Sequence, residues 1–391
     1  MRAIESSFFD GKRPWSRIKD RVLGAYLPPY LRKLQRLPQP IVVVDCFAGR
    51  GKFSDGTPGS PLIICQEIKA HAPNRATAYF VNKRPAHHEA LSRTIKSFTD
   101  AGIATTILGR SQNFLEDLNR QLTNQSLFVY LDPFGIKGCT FNATKTLLQR
   151  DTATSTELLM TMSMPILHRL AARRRTADAS LIINRFHALL DDVLGDVPWR
   201  DFMYDPTLTS AQKEEHVIAA YCNQLRKYTR YACSCPVRNR DDERVKYYIV
   251  FASRHVHALC LMNDIMLNAY QDHTFAQSID DLPLFAGVID DWRATRTNET
   301  RALATIITNA VKQEQRITRE QLWEHIVVEH FMQYREPEYR QAVQTLVHDG
   351  AIHCEPPARN GRLNDHTILQ PIQKRTPTSV TTRELPARRS S

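Results

Sequence analysis

Two short runs carry residue types that could do chemistry. In the first, Asp45, Phe47, Gly49 and Gly51 form D-x-F-x-G-x-G within IVVVDCFAGRGKFSDGTPGSP, residues 41–61. An acid closes an apolar run there, and a glycine-rich turn opens directly after it. Glycine tolerates positive φ and lets the main chain approach a ligand closely, while N–H groups beyond a strand's end can face negative charge. The second run is Asp132, Pro133, Phe134 and Gly135, which closes another apolar stretch, SLFVYLD. Ligands of open α/β sheets bind beyond the carboxyl ends of the strands, so both acids fall where a binding site is expected. The simpler alternative for Asp132 is a structural turn whose carboxylate caps the next segment.

The elements around these runs must form a sheet that delivers both acids to one edge. Ile41 to Val44 are β-branched and apolar without alternation, which suits a strand buried on both faces of a parallel sheet. Further strands are predicted over 76–83 (ATAYFVNK), ending at Asn82, then over 105–108, 126–132 and 157–163, with helices over 61–70, 87–101 and 113–123. Strand and helix alternate at short spacing, so a parallel sheet with right-handed crossovers is the economical topology. Before it, apolar positions from Ile18 to Leu34 recur at helical spacing, and Pro28 and Pro29 are expected to break that helix. Lys19 and Arg21 in it read as exposed helix charges or as contacts to an anionic ligand.

Residues 165–227 exceed a normal crossover and read as a helical insertion over the ligand edge. YACSCPVR (231–238) and VKYYIVFAS (245–253) flank the turn NRDDE and read as an antiparallel hairpin, followed by a helix over 255–270. A Rossmann-like α/β sheet that ends in such a hairpin is typical of class I methyltransferases. The first domain therefore spans 1–285. Beyond it, helices over 298–313, 318–330 and 336–349 precede a strand pair around PPARNGRLND, and Thr318 with Gln321 has the spacing of a capping box. This order reads as a winged helix-turn-helix over 290–372. Residues 373–391, basic and poor in apolar side chains, read as a disordered tail.

The 391 residues, 42% hydrophobic and 24% charged, can bury sizeable cores. Lysine and arginine exceed the acids by 52 − 41 = 11, a balance that favours a polyanionic partner such as nucleic acid. No apolar run reaches the roughly 20 residues of a membrane span, and the start MRAIESSFFDGKRPW has no continuous apolar stretch, so a cytoplasmic protein without membrane contact is expected. The eight cysteines read as free thiols, Cys233 and Cys235 as strand packing, and no metal site is expected from the histidines.

The first run resembles motif I of S-adenosylmethionine (SAM)-dependent nucleic-acid methyltransferases, which implies that Asp45, Phe47, Gly49 and Gly51 bind SAM. The second stands where amino-methyltransferases carry Asp-Pro-Pro-aromatic, with an acid and a main-chain carbonyl accepting hydrogen bonds from the target amine and an aromatic stacking on a flipped-out base. That assigns Asp132, Pro133 and Phe134 to catalysis, although Phe134 replaces the second proline and Gly135 the aromatic. Where ribose hydroxyls usually meet an acid, the chain holds Asn82, a weaker hydrogen-bond partner. Across residues 15–270, DCFAGRGKFSDGTPGSPLI, FVYLDPFGIKG, STELLMTMSMPILHRL and YYIVFASRHVHALCLMNDIM are similar to the three-Cys-motif partner proteins. The resemblance implies a methyltransferase-like Rossmann fold associated with a radical-SAM three-Cys-motif protein. Two functions follow as expectations: SAM-dependent methylation of nucleic acid, or a non-catalytic partner that binds nucleic acid or protein.

Overall fold

The computed structural model describes residues 14–133, 135–151, 154–172, 180–238, 244–281, 286–356 and 363–372. Phe134, Arg173, Arg174, Arg175, the turn 239–243 and the tail 373–391 lie outside them. The chain divides into two compact units, Met1–Phe285 with Val327–Arg335, and Ala286–Ile326 with Glu336–Ser391.

The first unit begins with α1 (Pro14–Leu34), β1 (Ile41–Asp45), α2 (Ser60–His71), β2 (Ala76–Asn82), α3 (Pro85–Thr94), α4 (Lys96–Asp100) and β3 (Ala104–Leu108). It continues with α5 (Ser111–Gln121), β4 (Ser126–Leu131), α6 (Phe141–Leu148), β5 (Thr156–Ser163), α7 (Met164–Ala171), α8 (Ser180–Leu194), α9 (Trp199–Tyr204) and α10 (Ser210–Leu225). The hairpin β6 (Tyr231–Val237) and β7 (Tyr247–Ser253) and the helix α11 (Val256–Asp281) complete it.

Seven strands form one sheet in the order β3-β2-β1-β4-β5-β7-β6. β1 pairs in parallel with β2 and β4, β2 with β3, and β4 with β5, while β7 runs antiparallel to both β5 and β6. This is the Rossmann-like methyltransferase sheet that the sequence predicts. Every residue of β1, β4 and β7 is buried, as their unbroken apolar runs require. The register sets Asp45 opposite Phe80 and Tyr130, so the glycine turn and the Asp132 turn leave the sheet side by side.

One sheet face is covered by α1, where Tyr26 and Tyr30 pack on Phe128 with ring centroids 5.6 and 5.4 Å apart. Contrary to expectation, α1 is unbroken, with Pro28 and Pro29 inside it. Ile18, Val22, Leu23, Tyr26, Leu27, Tyr30, Leu31 and Leu34 are all buried on its inner face, on both sides of the prolines. Burying a large apolar side chain stabilises by roughly 1.5–3 kcal/mol, so these eight outweigh the two prolines at about 3 kcal/mol each. The helix expected over 87–101 divides at Ile95 into α3 and α4.

On the opposite face, Val42, Val44, Val129, Leu131, Met160 and Val250 share one core with Leu115, Phe141, Leu167, Leu190, Trp199, Val217 and Tyr221. Helices α7 to α10 fill the long stretch after β5, and their apolar sides are part of this sheet-covering core. All eight cysteines are free, and Cys233 and Cys235 are buried in β6.

The second unit contains α12 (Ala286–Glu314), β8 (Ile317–Thr318), α13 (Arg319–Glu329) as far as Ile326, α14 (Glu336–His348), β9 (Ile352–Glu355) and β10 (Ile368–Pro371). Its strands form an antiparallel sheet in the order β8-β10-β9. The expected capping box is present: the Gln321 amide donates to Thr318 Oγ1 at 3.2 Å and the Thr318 amide to Gln321 Oε1 at 3.2 Å. Trp323 stacks on Tyr339 at 5.1 Å, and the Tyr339 hydroxyl donates to the Arg319 carbonyl at 2.6 Å. Among the described residues, no helix is long and apolar enough to cross a membrane.

Candidate active site

The glycine turn is held by side chains that the sequence assigns to a ligand. Asp45, fully buried at the end of β1, accepts from the Phe47 amide at 2.9 Å through Oδ1 and from Ser60 Oγ at 2.6 Å through Oδ2. One carboxylate thus braces both ends of the loop 46–59, fixing where β1 leaves the sheet and where α2 begins. Burial pushes the Asp45 carboxyl up to about 7, an effect the two hydrogen bonds reduce.

Asn82, at the end of β2, donates its Nδ2 to the Gly49 carbonyl at 2.8 Å. It therefore ties the turn to the neighbouring strand and leaves its Oδ1 to accept. Gly49 and Gly51 adopt φ of 62° and 85°, a region that favours glycine. At Gly51 a Cβ would meet Leu91 Cδ1 at 2.9 Å and Thr94 Cγ2 at 3.0 Å. The glycine is thus required by the close passage of α3, where Thr94 Oγ1 also donates to the Arg50 carbonyl at 3.2 Å.

Phe47 joins this loop to the one after β4. Its ring lies against Gly138, where a Cβ would come within 3.4 Å of Phe47 Cζ and 2.5 Å of Ser111 Oγ. Ser111 in turn donates to the Gly138 carbonyl at 3.1 Å. The turns after β1, β3 and β4 are thereby packed into one edge.

Asp132 leaves β4 on the α1 face, and both its oxygens are engaged. Thr161 Oγ1, on β5, donates to Oδ1 at 2.6 Å, and the Lys19 ammonium, from α1, pairs with Oδ2. The Lys19 and Asp132 side chains are 15% and 21% exposed, so the pair is sheltered yet open to the edge. Burial alone would lower the Lys19 pKa; the Asp132 carboxylate reverses this and holds it above its ordinary value, so the ammonium stays charged. Tyr130, two residues earlier on the same face, buries a hydroxyl that has no hydrogen-bond partner among the described residues. The charges of Asp132, Asp20 and Asp45 all bear on it.

Pro133 is half-buried and its carbonyl accepts from the Gly135 amide at 2.7 Å, with Gly135 at φ 125°. The main-chain acceptor expected to face an amine is already used within its own turn. Phe134 lies outside the described residues. The structure thus brings Asp45, Phe47, Gly49, Gly51, Asn82, Asp132 and Pro133 to one edge, and adds Lys19, Tyr130 and Thr161. Thr161 carries a legible signal as the hydroxyl in the otherwise apolar core of ELLMTMS; of the two α1 cations considered in the sequence, Lys19 is sheltered against Asp132 at the edge, while Arg21 is an exposed charge paired with Asp272.

No family model matches the chain, and no curated protein does. Solved structures are similar to it at a distance. A precorrin-6y C5,15-methyltransferase from Geobacter metallireducens is 12% identical, with 57% of this chain and 86% of that one covered and a TM-score of 0.28. An rRNA methylase from Streptococcus thermophilus is 10% identical, covering 62% and 96% at a TM-score of 0.29. A methyltransferase candidate from Streptococcus mutans in complex with SAH is 10% identical, covering 62% and 98% at 0.31. The functional reading is carried by the sheet order and the site's own geometry.

Proposed function

We propose that the carboxyl edge of the first unit binds SAM and directs methylation of an amine on a nucleic acid, with Asp132 orienting the acceptor. The observation that carries this reading is the Asp132 carboxylate, fixed at the end of β4 by Lys19 and Thr161 above the unpartnered Tyr130 hydroxyl. A buried hydroxyl without a partner calls for a ligand group or a water at that point.

The residues present fit SAM. Lys19 is a charged ammonium able to take the methionine carboxylate, Asp132 an acid able to face its amino group or the acceptor, and Asn82 Oδ1 an acceptor for a ribose hydroxyl. When bound, SAM supplies a methyl group made electrophilic by its sulfonium. Asp132 accepts a hydrogen bond from the acceptor amine, aims its lone pair and can receive its proton; such positioning is the larger part of the rate gain. Lys19, drawn to a ligand carboxylate, would release Asp132 Oδ2 to the acceptor. Calorimetric titration with SAM and with S-adenosylhomocysteine tests the reading, with Gly49→Trp as the blocked variant. Saturable binding lost in the variant supports it; no binding at millimolar ligand overturns it.

A second reading is favoured by two observations, the use of Asn82 to hold the Gly49 carbonyl and of the Pro133 carbonyl within its own turn. In it the chain is a non-catalytic partner of a radical-SAM three-Cys-motif protein, in line with the resemblance of residues 15–270. The order α12-β8-α13-α14-β9-β10 with its β8-β10-β9 sheet supports a winged helix as the second module for nucleic-acid or protein contact. Co-purification with a three-Cys-motif protein tests it, and failure to associate at micromolar concentration overturns it.

A further inference from the structure

The loops at the carboxyl edge share one property beyond the site residues. In spatial order across β3, β2, β1 and β4, the turns carry Arg110, then Lys83 and Arg84, then Arg50 and Lys52, then Lys137, all exposed. Within 45–59, 83–84, 109–110 and 132–140 the acids are Asp45, which is buried, Asp132, which is paired with Lys19, and the exposed Asp55. These turns therefore set six exposed cations against one exposed acid along the edge towards Asp132.

At the amino edge of the same sheet arginine is used differently. Arg75 donates to the Leu37 and Gln39 carbonyls, Arg150 to those of Leu122 and Gln125, Arg226 to that of Ala232, and Arg254 to those of Leu148, Arg150 and Asp151. Those guanidinium groups close main-chain ends. Lys52, Lys83, Arg110 and Lys137 serve no such purpose among the described residues, although each is costly to place beside another cation.

We infer that this row is the docking track for the phosphate backbone of a single-stranded nucleic acid, delivering a base to Asp132. Four neighbouring strands at about 4.8 Å spacing span about 15 Å, the length of about four phosphates at 3.4 Å each along a stacked strand. A base in a duplex is out of reach of a half-buried acid, whereas a single strand presents it without the cost of flipping. The inference rests on the nucleic-acid reading above and adds the surface and the strandedness.

The test is fluorescence anisotropy of a labelled single-stranded oligonucleotide, as RNA and as DNA, without SAM, from about 50 to 200 mM salt. Two matched pairs of exposed residues are compared: Lys83→Gln with Lys137→Gln on the track, and Arg36→Gln with Lys227→Gln at the amino edge. The track pair should weaken binding at least tenfold at low salt and reduce the slope of log affinity against log salt by about 1.4, at about 0.7 per lost phosphate contact. The amino-edge pair should leave both unchanged. Equal losses in the two pairs, or tighter binding of a matched duplex than of the single strand, overturn the inference. Because SAM is absent, track-dependent binding without any methyl transfer would sink only the proposed reaction. Methyl transfer with an unaltered salt slope in the track pair would sink only the track.

Discussion

The Lys19 ammonium of α1 rests on the Asp132 carboxylate of β4 across 113 residues of sequence, while Thr161 holds the carboxylate's other oxygen. This pairing fixes the acid at the end of β4 and keeps a charged lysine sheltered beside it. Removing the lysine leaves a sheltered carboxylate uncompensated, which costs about 3 kcal/mol. Lys19→Met should therefore lower the midpoint of urea unfolding and weaken SAM binding, read by calorimetry. Thr161→Val should cost about 1 kcal/mol and leave SAM binding within a few fold. A Lys19→Met protein of wild-type stability would show that the pair has no part in holding the edge.

Asp45 and Glu157 make stability depend on pH in an unusual direction. Burial raises each carboxyl to about 7, from 3.8 and 4.5 respectively, and Glu157 keeps that value despite accepting from the Tyr26 hydroxyl at 2.6 Å. The folded chain thus binds more protons than the unfolded chain between about pH 4 and 7, and their contribution is complete below about 4 and lost as the pH rises through 7. Unfolding measured at pH 5 and at pH 7.5 should show the higher stability at pH 5. Glu157→Gln should shrink that difference by on the order of 2 kcal/mol. A stability that rises over this window, or an unaltered difference in the variant, contradicts the assignment.

Gly51 combines a positive φ with contact to α3. Gly51→Ala should destabilise by about 2 kcal/mol or more, part from the left-handed backbone and part from the approach to Leu91 and Thr94. Adding Leu91→Ala should relieve the contact but not the backbone cost, so the double variant should be less destabilised than the sum of the two single ones. Thermal melts of the four proteins check this; strict additivity would mean that the two side chains never meet.

Asn82 separates a bracing role from a ligand-binding one. An aspartate there would set a carboxylate against the Gly49 carbonyl in place of the 2.8 Å hydrogen bond. Asn82→Asp should therefore loosen the turn by about 1–2 kcal/mol and weaken SAM binding. Tighter SAM binding in Asn82→Asp would mean that the side chain is turned to a ribose instead.

Much of the sheet was legible because its strands are short, apolar and free of alternation, as in Ile41 to Val44, and because the hairpin flanking NRDDE breaks the strand and helix rhythm. The edge was legible in outline, since strand ends place Asp45, Asn82 and Asp132 without knowledge of any contact. What each of them touches was not. Whether Asn82 faces a ligand or the chain depends on where the Gly49 carbonyl falls, and Lys19 finds Asp132 only once α1 has packed on the sheet. The unbroken α1 illustrates the same limit, for the prolines are local and the burial that overrides them is tertiary. Helix α6, eight residues capped by Thr140, was too short to show a period.

The most direct test of the proposed reaction is transfer of a labelled methyl group from SAM to single-stranded RNA and DNA by the wild-type protein and by Asp132→Asn, with SAM binding of both measured by calorimetry. The account predicts methylated nucleic acid from the wild type and a loss of at least 100-fold in the variant, the scale of a positioned proton-accepting group, with SAM affinity within a few fold. Undiminished transfer by a folded Asp132→Asn protein would contradict it, as would a wild-type protein that binds SAM and both nucleic acids but transfers nothing.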